Sequence, residues 1–560
     1  MNRLYYFSIA LCSLQSLVSC NEKKEAPAPA LIEGLSLKRG SLIACGAPEG
    51  KFGTVQFETS CGAEVKGDFN LAVDLLHSFE YDEAEKVFAR IIDKEPSCAM
   101  AYWGVAMSNF HALWTPPNEA ELKKGSKAIA LARSIKSKTK REAAYIDAIA
   151  AYYTGWETTD HKTRALRFEK AMEQLYRNYP NDKEAAVFYA LALDAAADPT
   201  DKTFARQQKA GRILNGLYPG EPDHPGIIHY LIHTYDAPEL AEQALPAARK
   251  YASVAPSSSH ALHMPSHIFT RLGLWKECLQ SNEVSVSAAQ CYATAAGIDG
   301  HWDEELHSLD YLVYAHLQRG DNKKALEQLK YTEAISKVTP TNFKVAYAFA
   351  AIPSRYVLEN KQWKEASGLP LHAGIDWKAY PWQEAIVHFT RLLGFAHLKD
   401  SKGAQSEWKT LQDLQAKLVQ QKDAYKANQV GIQLKSGEAW IAWASGRQQE
   451  AVQQMQEAME MEDHTEKHPV TPCEVVPAAE LYADLLMEVG QSGQALQAYE
   501  ADLKKHPNRF NGLLGAGRAA EKTGNKDLAT SYYRQLLSIV TTDSTDRPEM
   551  VQVRAYVKGG

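Results

Sequence analysis

Residues 490–535 read GQSGQALQAYEADLKKHPNRFNGLLGAGRAAEKTGNKDLATSYYRQ and contain one pattern twice. The two copies, 34 residues apart, are Gly490, Ala495 and Tyr499, then Gly524, Ala529 and Tyr533. A period of 34 residues is that of two antiparallel helices that stack on the next pair. Small residues let the two helices approach, and the tyrosine fills the space between units. The stretch therefore predicts an all-α chain of stacked helical hairpins.

Other parts of the chain carry the same pattern. The five-residue spacing from glycine to alanine also starts at Gly320 and at Gly446. Near the beginning, Ala84 is followed by Phe88 and then by Pro96, as in the second helix and closing turn of such a unit. A hairpin with this period is the tetratricopeptide repeat (TPR). The sequence thus predicts a right-handed TPR-type α-solenoid.

The pattern divides the chain into nine segments. They are a lipoprotein signal peptide (1–19), a flexible tether (20–35), an irregular glycine-rich lead-in (36–68), N-terminal TPR-like repeats (69–200), histidine-rich central repeats (201–340), further TPR-like repeats (341–460), a long loop (461–477), regular C-terminal repeats (478–540) and a tail (541–560).

The central repeats are rich in histidine, with nine of the eighteen histidines between positions 224 and 316. His229 and His263 are 34 residues apart, and so are His233 and His267. Both pairs therefore occupy matched positions of neighbouring repeats. Spacings of three and four put side chains on one helical face, and neighbouring helices lie roughly 10 Å apart. We expect these four imidazoles to converge in the concave groove.

Clustered neutral imidazoles with nearby carboxylates are donors that zinc, iron, copper and nickel accept. The predicted metal ligands are His229, His233, His260, His263, His267, His307 and Asp310. The residues predicted to line the ligand-binding groove are Arg271, Tyr314 and His468. The carboxylates expected to orient the histidines, or to act as ligands themselves, are Asp303, Glu304 and Glu305. Zinc or another transition metal is the expected cofactor.

Two other interpretations of the histidines stay open. The groove binds a polar ligand without a metal, or the rings are packed core residues, which we favour for His224, His301 and His316. A metal-dependent enzyme would also need an open coordination position and a general base, and nothing in the sequence selects that base. The chain has no GxSxG, HExxH, CxxC or phosphate-binding glycine loop.

The N-terminus has the features of an export signal. Arg3 precedes a short apolar run that ends in Leu17-Val18-Ser19-Cys20, which resembles the bacterial lipoprotein box. The resemblance implies cleavage before Cys20 and lipidation of its thiol, although a plain signal peptide is the alternative. Asn21 after the cysteine favours the outer membrane by analogy with lipoprotein sorting. We expect a lipid-anchored protein of the outer membrane that faces the periplasm or the cell surface.

Export permits disulfide bonds among the remaining cysteines. Cys45 and Cys61 lie together in the lead-in and are the predicted pair. Cys278 and Cys291 are expected to be buried thiols.

Six stretches resemble a family of bacterial tetratricopeptide-repeat proteins: LLHSFEYDEAEKVF (75–88), CAMAYWGVAM (98–107), HALHMPSHIFTRLG (260–273), ELHSLDYLVYAHLQRG (305–320), HPVTP (468–472) and PNRFNGLLGAGRAA (507–520). The resemblance covers nearly everything after residue 60. It implies the fold, and it carries no established activity.

The function is thereby narrowed to three classes. The first is a cell-envelope scaffold whose groove binds a protein, a peptide or a small molecule beside a histidine-lined metal site. The second is a metal-dependent enzyme built on the solenoid, and the third, less favoured, is a nutrient-binding lipoprotein of the SusD type. The net charge is −6 and no basic run occurs, so nucleic acid is not an expected partner.

Overall fold

The computed structural model describes residues 25–46, 50–113, 116–198, 201–540 and 545–559. The predicted signal peptide and the lipidation site Cys20 lie outside the described residues. The described chain forms 27 α-helices, four short 3₁₀ helices and two strands of two residues each. The all-α class predicted from the repeat is confirmed.

The first fourteen helices are α1 Pro29–Glu33, α2 Lys66–His77, α3 Tyr81–Lys94, α4 Ala99–Ser108, α5 Glu119–Ser134, α6 Lys140–Tyr153, α7 His161–Asn178, α8 Lys183–Ala195, α9 Ala205–Leu217, α10 Pro225–Thr234, α11 Leu245–Val254, α12 Ser259–His263, α13 Pro265–Arg271 and α14 Trp275–Ala295. The remaining thirteen are α15 Asp303–Gln318, α16 Asn322–Ala334, α17 Phe343–Glu359, α18 Trp363–Ser367, α19 Pro381–His397, α20 Ser401–Gln420, α21 Ala424–Ala444, α22 Gln448–Asp463, α23 Ala478–Glu488, α24 Ser492–Lys505, α25 Phe510–Lys522, α26 Lys526–Ile539 and α27 Glu549–Gly559. The 3₁₀ helices are Ala63–Val65, Tyr218–Gly220, Ala241–Ala244 and Trp377–Ala379.

Consecutive helices pack as hairpins, and the hairpins stack. α23 packs on α24 and α25 on α26, while α15, α17, α19 and α21 lie side by side as the first helices of successive hairpins. This contact pattern is that of a two-helix repeat. Equivalent positions of neighbouring repeats therefore become neighbours in space.

The repeated glycines and tyrosines have distinct roles in this stack. Gly490 and Gly524 sit in the turn inside their hairpins with φ of +82° and +79°, a left-handed conformation that glycine adopts without a steric penalty. The ring of Tyr499 fills the space beside Gly515, where a methyl group would overlap it. Tyr533 of α26 fills the space beside Gly517, on the same helix α25 as Gly515. The 34-residue pattern thus encodes both the turn and the contact between helices.

Helix α15 is buried along nearly its whole length. Tyr311 and Tyr314 belong to the hydrophobic core of the first half of the chain, whereas Leu306, Leu309 and Leu312 belong to the core of the second half. Because both cores hold it, α15 fixes the orientation of one half relative to the other.

The C-terminal repeats fold back against the middle of the chain. Arg509 is fully buried and donates to Glu359 at 2.7 Å, to Glu480 at 2.9 Å and to the hydroxyl of Tyr314 at 2.9 Å. Trp275 Nε1 donates to the carbonyl of Asn508 at 2.7 Å. Removing one partner of such a buried ion pair is costly, so these contacts hold the two parts of the solenoid together.

The segments outside the regular repeats are attached to them. Within the lead-in, Cys45 N–H donates to the Ser257 carbonyl at 3.2 Å and Thr54 N–H to the Asp223 carbonyl at 3.1 Å. The predicted tail contains α27. Strands β1 His301–Trp302 and β2 Val338–Thr339 pair in parallel beside the hairpin of α15 and α16.

None of the helices within the described residues has the length and apolar character needed to cross a membrane.

The disulfide prediction is wrong. Cys45 pairs with Cys291 and Cys61 pairs with Cys98, while Cys278 is the buried free thiol that was expected. The two ends of the lead-in contact different parts of the solenoid, because Cys45 N–H donates to the Ser257 carbonyl whereas Gly62 N–H donates to the Glu95 carboxylate. Its two cysteines therefore meet different helices rather than each other.

We expect the two disulfides to differ in their contribution to stability. The Cys45–Cys291 bond joins positions 246 residues apart and the Cys61–Cys98 bond positions 37 apart. By loop-closure entropy, Cys291→Ser should lower the free energy of unfolding by about 5 kcal/mol and Cys98→Ser by about 4 kcal/mol. Guanidinium unfolding measures both, and reductant should abolish the differences from wild type. A tryptic peptide linking Cys45 to Cys61 would contradict the assignment.

Candidate metal centre

Four helical segments bring the histidines together: α10 carries His229 and His233, α12 carries His260 and His263, α13 carries His267, and α15 carries His307. α10 packs against α13, and α12 packs against α15. Met264, between α12 and α13, keeps helical angles (φ −51°, ψ −36°). The histidines of α12 and α13 therefore stay on one helical face although Pro265 follows.

His229, His233 and His260 form the first triad, with one ring nitrogen of each within 4.8 Å of the others. The Nε2 atoms of His229 and His233 are 2.9 Å apart. His229 Nδ1 donates to the carbonyl of His77 at 2.6 Å, which leaves its Nε2 lone pair facing the triad. His260 Nε2 is buried and has no hydrogen-bond partner among the described residues. A bound ion would satisfy this orphaned nitrogen.

His263, His267 and His307 form the second triad, again with donor nitrogens within 4.8 Å of one another. The Nε2 atoms of His263 and His267 are 3.1 Å apart, and the rings of His263 and His307 have centroids 4.2 Å apart. The ring centroids of His233 and His267 are separated by 6.1 Å. The two triads thus adjoin.

Hydrogen-bond partners fix the ring protons in the second triad. His263 Nδ1 donates to Asn282 Oδ1 at 2.7 Å, and the Asn282 amide donates to the Cys278 carbonyl at 2.8 Å, which orients the oxygen towards the ring. His267 Nδ1 donates to Asp236 Oδ2 at 3.0 Å. Both rings therefore carry their proton on Nδ1 and, when neutral, a lone pair on Nε2.

Two lone pairs consequently face each other across the 3.1 Å between His263 Nε2 and His267 Nε2. Such an arrangement is repulsive unless a cation lies beside both atoms. Bonds of about 2.0–2.1 Å in a tetrahedral zinc site place two ligand nitrogens about 3.3 Å apart. The observed separation is therefore close to that of two ligands on one ion.

Burial keeps the imidazoles in the neutral form that binds metals. It lowers the pKa of His229, His233, His263 and His307 well below the ordinary histidine value, and the neighbouring rings lower it further. The pKa of His267 is lowered as well, again chiefly by burial. A proton shared between facing rings is therefore disfavoured at neutral pH, whereas a metal ion is not.

Asp236 links the second triad to the loop between α22 and α23. It accepts hydrogen bonds from Arg271 Nε at 2.8 Å and Lys467 Nζ at 3.0 Å as well as from His267. Burial raises the pKa of Asp236, but Lys467 and Arg271 outweigh burial and hold it well below its ordinary value. The ionised carboxylate orients the His267 ring, as carboxylates do behind metal-bound histidines.

The predicted carboxylates near the first triad have different partners. Glu304 Oε2 is 3.7 Å from His260 Nδ1 and has no hydrogen bond to any described residue. Asp303 pairs with Lys344 at 2.8 Å, and Glu305 accepts from His301 at 2.8 Å. Glu304 is therefore the member of the expected set that contacts a triad histidine.

Two cavities reach the triads. The His307 cavity, about 450 Å³, has walls that include His260, His307, Glu80, Glu304 and Lys344. The His468 cavity, about 360 Å³, has walls that include His233, Asp236, Arg271, Lys467 and His468. The predicted groove residues Arg271 and His468 thus lie together, next to a triad histidine.

Asp310 and Tyr314 occupy places other than those expected. Asp310 belongs to neither triad; its carboxylate is 3.3 Å from Arg355, and burial raises its pKa to about 6. Tyr314 is buried against Arg509 rather than lining either cavity. Because α15 is enclosed on nearly all sides, its positions beyond His307 face other helices instead of the groove.

A third group, His77, Glu184 and His224, escaped the sequence analysis because its members share no repeat offset. Glu184 accepts from His77 Nε2 at 2.9 Å and from His224 Nε2 at 2.8 Å. The Tyr230 hydroxyl lies 2.9 Å from His77 Nδ1, and the Ile227 N–H donates to His224 Nδ1 at 3.3 Å. All four ring nitrogens of this group are thus satisfied by protein groups, whereas His260 Nε2 of the first triad is not.

Comparison with known proteins supports the repeat assignment. The tetratricopeptide-repeat family matches residues 482–544. No curated protein sequence matches the chain. Among solved structures, the human IFIT1 dimer with PPP-AAAA is similar, with a TM-score of 0.35 and 11% identity over 84% of this chain and 89% of that one. Yeast Tom70 has a TM-score of 0.32 and 11% identity over 89% of this chain and 95% of that one.

Residues 482–544 match the tetratricopeptide repeat, and the described chain as a whole is an α-solenoid of stacked helical hairpins.

We expect the metal-free protein to lose stability in mild acid because of the triads. The unfolded chain binds protons near pH 6.5, whereas the five triad histidines with lowered pKa stay neutral in the folded chain. The contribution of these rings to the free energy of unfolding is therefore fully present above about pH 6.5. It falls as the pH drops, by up to about 1.4 kcal/mol per pH unit for each ring.

Urea unfolding of chelator-treated protein between pH 7.5 and 5.5 measures this dependence. His263→Gln/His267→Gln should reduce the number of protons taken up on unfolding by about two and so weaken the pH dependence of the free energy of unfolding. His301→Gln/His464→Gln, outside the triads, serves as the matched control. An unchanged slope in the triad variant would contradict the interpretation.

Proposed function

We propose that this protein is a lipid-anchored binding protein of the cell envelope whose solenoid holds a transition metal in the two histidine triads. The observation that carries the proposal is the facing pair of Nε2 lone pairs of His263 and His267, 3.1 Å apart. Packing alone gives no reason to bring two acceptors so close. The buried His260 Nε2, which has no hydrogen-bond partner among the described residues, supports the same conclusion.

The donor set favours zinc or copper. Imidazole nitrogen suits these ions, while magnesium and calcium require oxygen ligands. The fixed Nδ1–H bonds of His229, His263 and His267 orient the rings in advance, which is the usual role of groups behind metal ligands. A bound ion would supply Lewis acidity beside the cavities.

The cavities support binding of a ligand next to the metal. Each combines triad histidines with charged groups, Lys344 and Glu304 on one side and Arg271 and Lys467 on the other. We therefore propose a polar small molecule, or a polar part of a peptide or protein, as the occupant. The net charge of −6 argues against nucleic acid.

A metal-dependent enzyme is the second candidate. Glu80 lies on the wall of the His307 cavity, and burial raises its pKa to about 8, so it is protonated at neutral pH. A protonated carboxyl beside a metal site is available to donate a proton to a bound substrate. This feature favours a test for hydrolytic activity once the metal is known.

Metal content tests the proposal directly. The full-length chain, purified in detergent without a histidine tag, should contain zinc or copper near stoichiometry by elemental mass spectrometry. His263→Gln/His267→Gln should lose metal from the second triad, because both Nε2 donors are removed, while His301→Gln/His464→Gln should keep the wild-type content. Metal-free wild-type protein that also fails to take up added zinc or copper would refute the proposal.

The lipid anchor rests on Leu17-Val18-Ser19-Cys20 and has its own test. In cells given labelled palmitate, the wild type should incorporate the label and fractionate with the outer membrane. Cys20→Ala should abolish labelling, whereas Cys12→Ala, inside the predicted signal peptide, should not. Labelling that survives in Cys20→Ala would exclude this attachment site.

A further inference from the structure

Histidine rings from different triads lie as close together as rings within one triad. The rings of His233 and His267, from different triads, have centroids 6.1 Å apart. Inside the first triad the corresponding distances run from 4.6 Å to 6.4 Å, and inside the second from 4.2 Å to 6.1 Å. The six histidines therefore form one continuous cluster made of two sets of three.

We propose that this cluster is a binuclear metal centre, in which each triad holds one ion and a small anion from the His307 cavity binds to both. The inference rests on the proposed function and goes further, because it fixes the number of ions and the class of ligand.

The grouping of the donors favours two ions over one. Each triad has its own close Nε2 pair, at 2.9 Å between His229 and His233 and at 3.1 Å between His263 and His267. The donor atoms gather into two sets of three rather than a single set of six. Close pairs of ligands belong to a common ion, so each pair defines a separate ion.

Each triad is one donor short of the four that a zinc ion takes, and copper(II) also prefers at least four donors. The missing donor must come from outside the triads. His260 of the first triad and His307 of the second both line the His307 cavity, so one ligand in that cavity is near both sets. Two-metal sites commonly share a ligand in this way.

The charges around the site favour an anion as the shared ligand. Two divalent ions would bring four positive charges among neutral imidazoles. The nearest carboxylates are already paired: Asp236 with Arg271 and Lys467, and Asp303 and Glu304 with Lys344. The three cations offset the three carboxylates, so the protein would leave the positive charge of the two ions uncompensated.

Copper(II) loading of the full-length chain in detergent tests the number of ions. We expect two coppers per chain by elemental mass spectrometry, with less than half of them visible by electron paramagnetic resonance, because spins that share a ligand couple. His229→Gln/His233→Gln and His263→Gln/His267→Gln should each retain one copper that is fully visible. His301→Gln/His464→Gln should keep two coupled ions.

The outcomes separate this inference from the proposed function. One copper per wild-type chain, or two with full signal intensity, would overturn the binuclear centre and leave the metal-binding proposal standing. No copper and no zinc would overturn both. The wild-type measurement decides between these results even if a variant fails to fold.

Azide, used as the probe anion, tests the shared ligand. Titrated into the two-copper protein, it should bind once per chain and change the coupling, and inorganic phosphate should compete. Lys344→Gln should weaken azide binding about tenfold with copper content unchanged. Two independent azides per chain, or unchanged affinity in Lys344→Gln, would overturn the assignment of the anion to this cavity.

Discussion

The close stacking of hairpins is the constraint on which the rest of the structure depends. Helices pack about 10 Å apart, so a 34-residue period turns positions distant in sequence into neighbours in space. Gly515 beside Tyr499 shows how small residues and aromatics maintain that spacing. The histidine cluster exploits the same geometry, because α10, α12, α13 and α15 each present a short run of rings to the next helix. The histidine cluster is in this sense a property of the stack and not of any single repeat.

Most of the fold could be predicted because the repeat is local and periodic. The identities of the six histidines followed from matched offsets and helical spacing. Their grouping did not: four imidazoles were expected to converge, whereas the structure joins His260 to one pair and His307 to the other. Side-chain directions at a boundary between helices decide this, and spacing alone does not encode them. Asp236 and Asn282, which orient the rings, lie at positions without any periodic counterpart and gave no signal.

The errors share a physical origin in long-range packing. Asp310 and Tyr314 were placed in the groove by their positions on a first helix. Helix α15 is instead buried between two cores, where Asp310 faces Arg355 of α17 and Tyr314 faces Arg509 of the C-terminal repeats. The lead-in cysteines were paired because they are near in sequence. Each of them instead pairs with a cysteine in a different part of the solenoid. Local pattern thus predicts elements well, whereas contacts between distant segments require the folded chain.

The loop between α22 and α23 makes the histidine cluster sensitive to events far from it. Lys467 reaches Asp236 across 231 positions of sequence, and Tyr311 donates to the carbonyl of Val470 at 3.1 Å. The cluster itself is built from residues 229–307, whereas the loop that covers it lies more than 150 residues later in the sequence. Local opening of the C-terminal hairpins would uncover the rings without unfolding the helices that carry them. Solvent access to the site is thereby coupled to the local stability of repeats that hold none of its donors.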